Sequence, residues 1–187
     1  MTDQLPLEGG ERASARPSIL ALDLSLTGSG WCLNGESGVI RSRQRGWDRI
    51  AEITQEVFCR TFGVDLVVLE GYAYAAKGQA VYQLAELGGI VRYWLYAHHL
   101  TTVEITPATL KKFACGKGNA NKDQMIAAAI RRFYFAGSDN NEADAYLLWC
   151  MAREAYGGPV AKLPAEQAAV AHLLTWPRGI MRGESAA

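Results

Sequence analysis

The stretch SILALDLSLTGSGWCL, residues 18–33, constrains the fold of this chain more than any other. With a period of two, Leu20, Leu22, Leu24 and Leu26 share one face, and Ile19, Ala21, Asp23 and Ser25 share the other. A strand that is apolar on both faces belongs in the interior of a sheet covered on both sides. Asp23 breaks the pattern. A carboxylate at such a position is costly unless it meets a charge or a hydrogen-bond donor. It is explained by a turn cap, a lysine partner or a bound cation.

The remaining elements follow from periodicity and punctuation. WCLNGESGVIRSR holds two short apolar runs joined by Asn34-Gly35, a hairpin signal. With the opening strand they make an antiparallel meander. Ile50, Ile53, Val57 and Phe58 are at helical spacing, and VDLVVLEG then gives a buried strand ending at Glu70. A long helix follows, with Val81, Leu84, Ala85, Leu87, Gly88, Val91, Trp94 and Leu95 on its apolar stripe. Gly88-Gly89 in its middle weakens it and suits very close packing by another helix, such as one from a second subunit. TTVEIT is the fifth strand, and Pro107 opens a short helix. Asn121 caps the next helix, whose Met125, Ile126, Ala129, Ile130 and Phe133 point inward. A further helix ends at Gly157-Gly158. Strands first and alternation afterwards give an α/β fold, a mixed five-stranded sheet with helices on both faces in the ribonuclease H-like arrangement. The expected organisation is a flexible tail over 1–16, one domain over 17–157 and an extension over 158–187 with one helix.

Bulk properties exclude more than they assign. Lys plus Arg (19) equals Asp plus Glu (19), so only local charge sorting can argue for nucleic acid. The four cysteines are scattered with no CxxC, which disfavours zinc and disulfides and suits free thiols in a reducing cytoplasm. The first residues lack the apolar core of a signal peptide, and no apolar run is long enough to span a membrane.

Three carboxylates occupy related places: Asp23 on the first strand, Glu70 at the end of the fourth and Asp144 in the first turn of the last main helix. The neighbours Leu147, Leu148 and Met151 face the core, so Asp144 points inward as well. Two such charges about 4 Å apart repel by roughly 4 kcal/mol at an effective dielectric near 20. Hard oxygen donors with no Cys or His among them suit two Mg²⁺, or Mn²⁺, and such a pair supports phosphodiester hydrolysis.

The blocks LALDLSLTGSGWC, LVVLEGYAYAAKGQAVYQLAELGGIVR, ITPATLKKFACGKGNANKDQM and NEADAYLL, in that order, resemble the RuvC family of Holliday junction resolvases, its phage-type members in particular. The resemblance covers about Ser18 to Tyr156. It implies a Mg²⁺-dependent endodeoxyribonuclease acting as a homodimer, with Asp23, Glu70 and Asp144 as metal ligands and Lys111 and Lys122 as active-site lysines. Paired nicks in a four-way junction would leave 5′-phosphates and ligatable 3′-hydroxyls. The family carries a fourth acid, or a His, three residues before the last Asp. Here Asn141 stands at that position with Glu142 beside it. Asn141 is better aimed at i to i+3 and Glu142 better charged; a plain helix cap is the alternative role for Asn141.

Between Ile105 and Arg132, Lys111, Lys112, Lys117, Lys122, Arg131 and Arg132 face only Asp123 in opposition. Lys112 and Lys117 suit flanking DNA backbone. Arg41, Arg43, Arg45 and Arg49 form a second cluster for a DNA arm, with a solvated surface as the alternative. Tyr72 and Tyr74 follow Glu70 and suit either base stacking or packing on the next helix. Lys77 suits a phosphate. Two other functions fit parts of the pattern: a branched-DNA-binding module that has lost catalysis, and an actin-like phosphotransferase reading DLSLTGSG as a phosphate loop.

Overall fold

Every residue of β1 (Ile19–Asp23) is buried, as a strand covered on both faces must be. The computed structural model describes residues 16–72 and 79–180. β2 (Ser29–Leu33) and β3 (Glu36–Ile40) run antiparallel beside β1, and β4 (Leu66–Glu70) and β5 (Thr102–Ile105) lie on its other side in parallel. The order is β3-β2-β1-β4-β5. The meander closes at Asn34 and Gly35, both at positive φ (53° and 100°), the conformation a two-residue hairpin turn requires.

Strand parity divides the core. Leu20, Leu22, Val67 and Leu69 join Ile50, Ile53 and Val57 of α1 (Gly46–Arg60) and Leu87, Val91 and Leu95 of α2 (Gln79–Ala97). Ile19, Ala21, Leu66 and Val68 face the opposite way. There they meet α3 (Pro107–Cys115), α4 (Lys122–Phe133), α5 (Asn140–Ala155) and Val170 and Ala171 of α6 (Ala165–His172). Asp23 and Glu70 continue the second series, so both project toward the α5 side.

The second group of helices is firmly capped. The Thr106 hydroxyl accepts from Thr109 N–H with Pro107 in the first turn, and Asn121 and Gln124 form a reciprocal capping box on α4. Asp139 caps α5 by accepting from the Asn141 and Glu142 amides. Asn141 is therefore inside the helix rather than its cap. The helix contacts β2 at Gly30, where a methyl group would collide with the Asn141 carbonyl. Gly30 also pairs with Asp23 across the ladder. A missing side chain on β2 is thus what lets the start of α5 settle over the acidic end of β1.

Two inward assignments fail: Ile130 is half exposed and Ala85 faces solvent. Gly88 is buried, with the chain's own Tyr72 and Arg92 side chains in the space a methyl group would need, while Gly89 is exposed with nothing beside it. All four cysteines are free thiols. No helix among the described residues is long and apolar enough to cross a membrane.

Candidate active site

Asp23 and Glu70 end the two central parallel strands one register step beyond the Leu22–Leu69 pair. Asp144 descends onto them from the first turns of α5. Carboxylate oxygens of all three lie within 4.8 Å of one another. A cleft of about 120 Å³ opens between Asp23, Glu70, Gly71, Tyr72, Leu84 and Pro107, room for small ions rather than a base.

The electrostatics are those of a site short of positive charge. Burial, then the Glu70 charge, holds the Asp23 carboxyl well above the usual range. Burial also raises Glu70, opposed by its hydrogen bond with Asp23 and by the Lys111 charge. Asp144 is pushed up to about 7 by burial and by Glu70, against the pull of Lys111 and Lys122. Its Oδ1 is buried with no hydrogen-bond partner. An orphaned carboxylate oxygen beside two more acids is a costly arrangement that a hard divalent cation would resolve.

The two lysines reach this centre from different helices. Lys111 lies partly buried in mid-α3 and acts on Glu70 and Asp144. Lys122, exposed at the first position of α4, acts on Asp23 and Asp144. Neither closes to a salt bridge with the acids among the described residues.

Both candidates for a fourth ligand are engaged with other groups in this structure. Glu142 is turned toward β3, where it accepts from the Ser37 hydroxyl at 2.8 Å, and it does not join the acidic cluster. The Asn141 side chain donates from Nδ2 to the Gly28 carbonyl at 2.5 Å, so its amide is committed to the β1–β2 connection. Helix position explains both. At α5's second and third places the side chains fan toward β2 and β3, and only Asp144 returns to the strand ends.

The other predicted residues scatter. Tyr72 packs on α2: its hydroxyl donates to the Ala85 carbonyl at 3.2 Å, and Arg92 covers one ring face at 4.3 Å. It still stands at the cleft rim. Tyr74 and Lys77 lie outside the described residues. Lys112 and Lys117 are exposed, and Lys117 borders an open groove of about 310 Å³ with Arg131 and Arg132. Arg41 is 2.6 Å from the capping residue Asp139, so this arginine anchors α5 to the sheet edge. Arg49 donates to the Gln44 carbonyl, while Arg43 and Arg45 are exposed. Asp139 escaped the sequence reading although Asp139-x-x-Glu142 before an apolar run is a legible helix start.

The family model described as "Crossover junction endodeoxyribonuclease RuvC" matches residues 27–145, from just after Asp23 to just after Asp144. Among solved structures, the chain is similar to T. thermophilus RuvC in complex with Holliday junction substrate. The TM-score is 0.59 at 17% identity, covering 71% of this chain and 90% of that one. It is also similar to a second Thermus thermophilus RuvC structure, with TM-score 0.55 at 16% identity, covering 70% and 89%. These likenesses establish the ribonuclease H-like mixed sheet with its flanking helices. With the family match spanning most of the folded region, the chain belongs to the RuvC family of crossover junction endodeoxyribonucleases.

Proposed function

We propose that the protein is a divalent-metal-dependent endodeoxyribonuclease that resolves four-way and other branched DNA by paired nicks. The observation that carries this reading is the gathering of Asp23, Glu70 and Asp144, with the Asp144 Oδ1 left unpartnered. These three residues would hold two Mg²⁺, with Mn²⁺ as a substitute; when bound, such ions activate a water and stabilise the leaving oxygen. The chain's own groups do the rest. The acids at the strand ends fix the ligand geometry from a rigid sheet. Lys111 and Lys122 supply positive charge where the scissile phosphate gathers negative charge, without neutralising the acids by direct ion pairs. Lys112, Lys117 and Arg43 hold flanking backbone, and Tyr72 borders the unpaired centre of the junction at its free ring face.

A homodimer is part of the proposal, since two opposed nicks need two sites. The support is on α2. Tyr82, Glu86, Gly89, Tyr93 and Tyr96 succeed one another at steps of four and three, and all are exposed, the tyrosines at 73, 72 and 79%. That spacing is the one along which two helices pair, and no other helix among the described residues covers it.

The test is a labelled four-way junction beside linear, forked and flapped duplexes, with and without Mg²⁺ or Mn²⁺. Metal-dependent, symmetric cuts with ligatable ends in the four-way junction support the proposal. Tight junction binding with no cleavage in either metal overturns it in favour of a binding module, which the side-chain commitments of Asn141 and Glu142 favour.

A further inference from the structure

The helix α6 lies beyond the residues matched by the family model, yet it is tied to the lysine-bearing part of the molecule. α3 is only nine residues long and ends at Gly116 in the left-handed conformation, φ 79°. Its last carbonyls need partners from outside the helix. Two of them are met by side chains from two other helices. Gln167 of α6, 6% exposed, donates from Nε2 to the Phe113 carbonyl at 3.1 Å. Arg132 of α4 donates to the Ala114 carbonyl at 3.2 Å and to Gln167 Oε1 at 2.6 Å. The guanidinium also places positive charge where the helix dipole favours it. Gln167 further lies 3.6 Å from where a side chain on Gly116 would begin. The amide thus spends its donor on α3 and its acceptor on α4, and joins three helices at one buried point.

We propose that Gln167 is a positioning residue for Lys111. α3 is held at its start by the Thr106 cap and at its end by the Gln167–Arg132 pair. Lys111 lies between these two anchors, close enough for its charge to act on Glu70 and Asp144. Without the pair, the end of α3 is free to pivot about its first turn and to carry Lys111 away from the acids. This inference rests on the nuclease reading above.

The test uses the full chain and single-turnover cleavage of a four-way junction. Gln167→Met, which keeps length but removes both polar ends, slows cleavage about tenfold while junction affinity stays within twofold. Amide hydrogen exchange accelerates in 111–117 and not in the β1–β4 strands. Introduced into Lys111→Ala, the same substitution costs less than a further twofold, because the group it positions is already gone. Gln167→Glu retains the Arg132 contact but loses the donor to the Phe113 carbonyl, so it slows cleavage about threefold, between wild type and the methionine variant. If the methionine variant does not fold, this threefold loss and its disappearance in the Lys111→Ala background are the test, and no loss, or an undiminished loss in that background, overturns the inference. A full tenfold loss in the Lys111→Ala background, or no loss in wild type, overturns the inference and leaves the nuclease reading intact. A wild-type chain that binds junctions without cutting them overturns both.

Discussion

On one side of the sheet, α1 and α2 cover Leu20, Leu22, Val67 and Leu69; on the other, α3 to α6 cover Ile19, Ala21, Leu66 and Val68. Both sides are fully apolar along the strands. They diverge at the strand ends, where parity sends Asp23 and Glu70 to the α5 side alone. Beyond the strand ends, the α1–α2 side offers exposed tyrosines, whereas the α3–α6 side offers three partly buried acids, two lysines whose charge acts on them and a chain of polar helix anchors. The difference teaches that chemistry here is a matter of which helix termini meet the sheet. α1 and α2 lie along it and close it off. α5 approaches with its first turns and leaves an acid at the strand ends.

Substitutions on the two sides should therefore separate cleavage from association. The largest effect is expected from Asp23→Asn or Glu70→Gln, which should lower junction cleavage by at least about 10²-fold while binding stays within about threefold. Cleavage and gel-shift assays on one preparation check this. Retained nicking would remove the distinction between the two sides.

Gly30→Ala should come next. The added methyl has no room against Asn141, so α5 must withdraw. A loss of about 1–3 kcal/mol of stability is expected from such overpacking. Chemical denaturation measures it, and Mg²⁺ affinity should fall in parallel.

Acidity gives a third test. Asp144 has a raised folded value of about 7 against an ordinary 3.8, and Asp23 and Glu70 are raised as well. Groups raised in this way stabilise the folded state below their unfolded values, and that contribution disappears as pH climbs through the folded values. The chelated protein should lose thermal stability between about pH 4 and pH 7. Added Mg²⁺ should restore it most at the upper end, where the ligands are ionised. Scanning calorimetry with chelator and with Mg²⁺ reads the difference, of about 2–4 °C for each kcal/mol. A pH-independent midpoint would show that the three carboxyls are not raised in the folded protein.

On the other side of the sheet, Tyr93→Glu should shift sedimentation from dimer to monomer and turn paired cuts into single nicks, leaving Mg²⁺ binding unchanged. The smallest effect belongs to Arg41→Ala. The pair with Asp139 is largely exposed, so about 0.2–1 kcal/mol of stability is at stake, seen as a slight shift in denaturation midpoint.

Much of this was legible in the sequence because local signals agreed with tertiary ones. The period-two run at 19–23, Asn34-Gly35, Pro107 and the Asn121 cap each fixed an element without reference to the rest of the chain. The acids were legible because a carboxylate inside an apolar strand needs a reason. The contacts of the two fourth-ligand candidates were not. Whether Asn141 and Glu142 turn inward depends on partners 113 and 105 residues away, Gly28 and Ser37, which no local pattern names. Gly88 was legible only in part: bare backbone announces close approach but not by what, and within the chain it is Tyr72 and Arg92. Gln167 gave no signal, since a polar residue on an unassigned helix becomes informative only when its burial is known.

The three acids come from residues 23, 70 and 144, and none of the three segments holds a cation-binding set alone. During synthesis, strand β1 is made early, its parallel neighbour later and the helix that completes the trio last of all. Until α5 leaves the ribosome and docks through bare Gly30, the nascent chain lacks the full acidic trio. The acidic centre therefore arises only when three distant segments have all been made and have folded together.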